Sequence, residues 1–140
     1  MTKENKELLV KDLCARLPYD TVCQVEFKEN GKYESKNMIL SGIFKDEAYF
    51  TIENGSVYSN DYKPYLFPLS SMTEEQEKES FFEPSLLNAF INGYISLFED
   101  EELNIDDLNR LYDWLNKNHF DYRGLIEKGL AIDATNLNIY

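Results

Sequence analysis

The chain has 140 residues, of which 43% are hydrophobic and 14% aromatic, and a formal net charge of −12. That is about the length of one domain, with enough apolar surface to bury a core, so a disordered chain is excluded and a single domain over 1–140 is expected. The 14 basic residues are scattered among 26 acidic ones, which argues against direct nucleic-acid binding, since that depends on Lys and Arg displacing counterions from phosphates.

Residues 3–17 read as a helix, because Leu9, Leu13 and Leu17 recur every fourth residue with Val10 and Cys14 alongside. Thr2 is the expected cap and Pro18 the stop, since the residue before proline is pushed out of the helical region. From Thr21 the period changes to two: Thr21, Cys23, Val25 and Phe27 face one way, Gln24 and Glu26 the other. Asn30-Gly31 then predicts a tight hairpin turn, as both residues tolerate positive φ. A second strand falls within 32–44 and a third over 48–52, and a second Asn-Gly pair at 54 and 55 leads into "SVYS". These are the marks of an antiparallel meander of about four strands.

In "YKPYLFPLSSMTEEQ", Pro64 and Pro68 each lack a ladder donor. They exclude a central strand and predict an extended segment over 63–69, at a sheet edge or laid across the core. Thr73 and Gln76 form a capping box that starts a helix, with Glu74 and Glu75 at the positive end of its dipole. Pro84 interrupts that helix, and Ser85 caps another with Leu87, Phe90, Ile91, Tyr94, Ile95 and Phe98 on one face. After the acidic loop "EDEELN" at 99–104, the spacing of Leu108, Leu111, Tyr112 and Leu115 predicts a helix over 105–118.

"NKNHFDYRGLIEKGLAID" at 116–133 then reads as a corner between helices. Asp121 caps the last helix, Phe120 and Leu125 make a hydrophobic staple, and Gly129 is a left-handed terminator with Leu130 packing back on Leu125. The expected fold is α+β: an N-terminal helix, the meander, then three to four C-terminal helices packed on one face. Residues 1–72 form the helix-plus-sheet half and 73–140 the helical half.

"KDLCARLPY", "KPYLFPLSSMTEEQ" and "NHFDYRGLIEKGLAI" together resemble a family of small uncharacterised proteins of Bacteroidetes and their phages. The resemblance covers about a quarter of the chain, in the first helix, the end of the sheet and the last third. It implies a bacterial or phage source and an accessory role, and it carries over no functional residue. The family pattern departs here at Phe67, where a basic residue is expected, and over the acidic stretch from about Pro84 to Asn104.

The chemistry-bearing residues are sparse. His119, the one histidine, has Asp121 two positions away, a spacing that commonly points the two side chains in different directions. A structural place in the last helical turn, near the free carbonyls and dipole, is expected over a catalytic one. Two cysteines nine positions apart with no CxxC or HxxxH leave no soft-metal site, and the acidic runs lack the calcium-loop pattern. No phosphate-cradling glycine motif and no nucleophile elbow occur. No catalytic residue, metal or cofactor is therefore assigned.

Two binding surfaces remain. The segment 73–108 holds eleven acidic residues against one basic, and Tyr58, Tyr62, Tyr65 and Phe67 cluster around the two prolines. With Glu74 and Glu75 these aromatics suggest a non-enzymatic interaction protein taking a basic or nucleic-acid-binding protein partner, as an inhibitor or nucleic-acid-mimicking decoy. The plainer reading is that the rings pack over the sheet and the acids form a solvated face. The alternative function is a binder of small anionic ligands or nucleotides, or an enzyme, using His119 and Arg123; Arg123 is the residue of the corner least explained by structure. The charged opening and the lack of an apolar run near 20 residues predict a cytoplasmic protein without a membrane span, in the host cytoplasm if phage-encoded.

Overall fold

The computed structural model describes residues 1–80 and 105–140. Helix α1 (Lys3–Arg16) is capped as expected, with the Thr2 hydroxyl accepting from the Asn5 N–H at 3.1 Å. It passes into a 3-10 turn at Leu17–Tyr19 around Pro18. Strands β1 (Val22–Glu29) and β2 (Lys32–Phe44) form the predicted hairpin, and Asn30 and Gly31 both take positive φ at its tip. β3 (Glu47–Ile52) and β4 (Gly55–Ser59) complete the antiparallel meander.

The period-two reading sorts the sheet faces. Cys23 and Val25 are buried on the inner face, where Leu9 and Leu13 of α1 meet them together with Leu40, Ala48, Phe50 and Leu66. Tyr58, paired with Tyr49 across β3 and β4, lies on the opposite face and is 61% exposed.

The sheet extends further than the meander. β5 (Tyr62–Pro68) lies beside β1, so the prolines do not confine it to an edge. The strand order is β4-β3-β2-β1-β5-β6, and β5 also pairs with β7. Register explains the correction. Glu26 N–H donates to Asp61 at 2.9 Å, so alternate pairs along this antiparallel ladder are hydrogen-bonded. Cys23 opposite Pro64 is then a non-bonded pair, and the missing donor costs no bond to β1.

The last third differs most from expectation. α2 (Glu74–Glu79) carries the full capping box, with Thr73 N–H to Gln76 Oε1 at 2.9 Å and Gln76 N–H to Thr73 Oγ1 at 3.2 Å. α3 (Ile105–Lys117) forms where its stripe predicts. The helix capped by Ser85 and the acidic loop lie outside the described residues. No helix runs from Asp121 to Leu130. Gly124 adopts φ of 73° and breaks the helical path before one turn is complete.

The local chemistry read from that segment nonetheless forms around a single turn. Leu130 N–H reaches Leu125 O at 2.9 Å, Gly129 N–H reaches Ile126 O at 3.0 Å, and Gly129 has φ of 70°, which is the Schellman pattern. The flanking residues add two short parallel strands to β5, namely β6 (Phe120–Asp121) and β7 (Ile132–Asp133). Among the described residues the fold is thus α+β, with a mixed seven-stranded sheet in place of the antiparallel meander of about four strands, and two helices, α2 and α3, after β5. Among the described residues no helix is long and apolar enough to cross a membrane.

Candidate functional site: a cleft between α1 and α3

The buried face of α1 is not purely apolar. Asp12 and Arg16, one turn apart, lie between the leucines and are both fully buried. Arg16 Nε donates to Asp12 Oδ2 at 2.7 Å, and its Nη2 donates both to Asp12 Oδ1 at 3.2 Å and to the Phe120 carbonyl at 2.7 Å. Arg123 approaches the same carboxylate from the far end of the chain. Its Nε is 3.3 Å from Asp12 Oδ1, an ion pair whose N–H does not align as a hydrogen bond. One buried carboxylate therefore holds two guanidinium groups, and the cluster keeps a net positive charge.

Tyr122 completes the support. Its hydroxyl donates to Asn116 Oδ1 at 2.8 Å, and the guanidinium carbons of Arg123 and Arg16 lie 5.0 and 5.3 Å from its ring centroid. The electron-rich ring face favours both cations. Arg123 is thus held at its Nε by Asp12 and over the Tyr122 ring before any ligand arrives. Its side chain is 24% exposed, and its Nη groups donate to no acceptor among the described residues.

Arg123 lines a cleft of about 460 Å³ together with Lys11 and Ala15 of α1, Tyr112, Asp113 and Asn116 of α3, and Tyr122 of the loop. Lys11 is exposed and forms no ion pair among the described residues. In a chain of charge −12, this cleft sets Lys11 and Arg123, the latter ion-paired to Asp12 through its Nε, against one lining carboxylate, Asp113. A planar guanidinium fork beside an ammonium suits an oxyanion, which accepts two parallel hydrogen bonds from the fork.

His119 is not in this cleft. It follows α3 in the left-handed region, with φ of 62°, and its ring stacks on Tyr140 at 3.7 Å between centroids. Burial, with a smaller contribution from the Arg16 charge, lowers its pKa to about 4. The ring is neutral near pH 7, so its structural role comes from stacking, not from a charge set against the helix dipole. Its carbonyl accepts from Phe67 N–H at 2.8 Å. Tyr140 Oη accepts from Val22 N–H at 3.1 Å and donates to Tyr65 O at 2.8 Å. Val22 and Tyr65 are the next pair in the β1–β5 register after Cys23 and Pro64. The hydroxyl therefore bridges the two strands where the ladder would have continued.

The other residues singled out from the sequence do not assemble into one surface. Tyr62 and Tyr65 are only 6% and 5% exposed, Phe67 packs beside Phe120 and Tyr140, and Tyr58 lies on edge strand β4 against Tyr49. Glu74 and Glu75 are exposed at the start of α2. Asp121 turns inward, its carboxylate accepting from Leu125 and Ile126 N–H at 2.9 Å each. Among the described residues no cluster of three or more His, Cys, Asp or Glu is placed to hold a metal. Sequence reading found Arg123 but missed Asp12 and Arg16. Their signal was an i,i+4 pair of opposite charge, Asp first, set among the apolar positions of α1.

The fold defines the class only as an α+β protein with a cationic cleft. Comparison with protein-family models, with curated proteins and with solved structures finds no match to this chain.

Proposed function

We propose that this is a non-enzymatic binding protein and that its α1/α3 cleft takes an oxyanion on its ligand. The observation that carries the reading is Arg123, anchored by a fully buried carboxylate and lying over the Tyr122 ring, which lines one cleft with Lys11, a lysine without an ion pair among the described residues. Anchoring of this kind lowers the ordering entropy lost on binding, since a long side chain is already fixed. The anionic-ligand reading thus rests on Arg123 with Lys11, and His119 has no part in it. The Tyr and Phe residues at 58–67 support a contact surface less well, because the buried members contribute no accessible area.

A single oxyanion on two cations implies weak binding, on the order of millimolar. Titration of labelled protein with inorganic phosphate and with acetate, followed by NMR, tests the reading. Localised shift changes are expected at Lys11, Asn116, Tyr122 and Arg123, weakened by added salt and lost in Lys11→Gln/Arg123→Gln. If the shifts are absent, or persist in that folded variant, the cleft is not an anion site.

A further inference from the structure

The cleft also holds a carboxylate without a cation. Asp113 is exposed on α3, and its side chain forms no ion pair or hydrogen bond among the described residues, although Lys11 and Arg123 line the same cleft. Asn116 lies three residues further along the helix and is 4% exposed. Its Oδ1 accepts from the Tyr122 hydroxyl at 2.8 Å, and its Nδ2 donates to no acceptor among the described residues. Donors for an anion and a carboxylate for a cation thus share one cleft. Opposite charges that share a cleft without pairing to each other are both left for a ligand.

Resting on the oxyanion reading above, we infer that the ligand is a small zwitterion of the amino-acid class. Lys11 and Arg123 take its carboxylate, Asn116 Nδ2 is the neutral third donor, and Asp113 takes its ammonium. Two observations favour this ligand over a plain anion. A lone carboxylate or a phosphate gains nothing from Asp113 and is repelled by it, whereas an ammonium a few bonds away turns that repulsion into attraction. The chain as a whole carries a charge of −12, a field that works against any anion nearing the cleft and leaves a ligand of zero net charge unopposed. A nucleotide fits less well, because its phosphate brings negative charge and no cation to Asp113.

The test titrates the full chain with acetate, glycolate, glycine, β-alanine, 4-aminobutyrate and inorganic phosphate at constant ionic strength, followed by NMR, in the parent and in Asp113→Asn. At least one of the three amino acids is expected to bind about threefold tighter than acetate, the effect of one exposed ion pair, and to shift Asp113 as well as Arg123. Asp113→Asn should weaken that amino acid and strengthen acetate and phosphate. Repulsion alone would instead strengthen every ligand in the variant. Amino acids that bind no tighter than acetate, or that Asp113→Asn does not weaken, overturn the inference and leave the oxyanion reading standing. Glycolate matching the best amino acid overturns it in favour of a hydroxyl donor, and phosphate exceeding it does so in favour of a phosphate ligand. Failure of every anion at Lys11 and Arg123 overturns both.

Discussion

Replacing Asp12 by Asn keeps the side chain's shape and removes its charge. In the folded protein that carboxylate receives two hydrogen bonds from Arg16, at 2.7 and 3.2 Å, and lies 3.3 Å from Arg123. Asp12 and Arg16 have no solvent access, so water cannot take the carboxylate's place. Breaking a buried pair by removing one partner costs about 3–5 kcal/mol, because the remaining charge is left uncompensated. Against a typical domain stability of about 5–15 kcal/mol, that loss is large. With a urea m value on the order of 2 kcal/mol/M, the unfolding midpoint should fall by about 2 M. A second substitution separates charge from packing: Asp12→Asn combined with Arg16→Met removes the stranded guanidinium, while Arg123 can turn to solvent. The double variant should recover most of the loss. An Asp12→Asn protein within about 1 kcal/mol of the parent at unchanged m value, or a double variant less stable than the single, would refute the account of the cluster.

Three further outcomes follow from His119, Tyr140 and Asp121. His119 has a folded pKa of about 4 against an ordinary 6.5, so protonation favours the unfolded chain. Its contribution is complete above about pH 6.5 and is lost as pH falls toward 4, a change on the order of 2–3 kcal/mol. His119→Asn, which tolerates the left-handed backbone, should be less pH-sensitive than the parent over that window; parallel curves from urea midpoints would exclude His119 as the titrating group. Tyr140→Phe removes the acceptor of the Val22 N–H and the donor to the Tyr65 carbonyl, and should cost about 1 kcal/mol and speed hydrogen exchange at Val22; unchanged exchange there would show that the bridge is not formed. Asp121→Ala removes the acceptor of two backbone N–H groups and should cost about 1–3 kcal/mol, with faster exchange at Leu125 and Ile126 as its signature.

Local structure was legible in this sequence wherever its cause lies within a few residues. The Thr2 cap, the Pro18 stop, the Asn30-Gly31 turn, the Thr73–Gln76 box and the Gly129 terminator each depend on a side chain or φ preference acting over one turn, and all five form. The alternation of β1 also held, since a half-buried strand must separate its two faces at a period of two. Tertiary structure alone decided the rest. Two-residue strands such as β6 and β7 have no period to detect, and they exist because β5 offers them a ladder. Pro64 sits inside the sheet because the register, invisible in one strand, places its missing N–H at a non-bonded position. Asp12, Arg16 and Arg123 form one site because the chain returns after more than a hundred residues to the first helix. Spacing along the chain carries no trace of that approach, and the buried Asp12 carboxylate is what anchors Arg123 at the cleft.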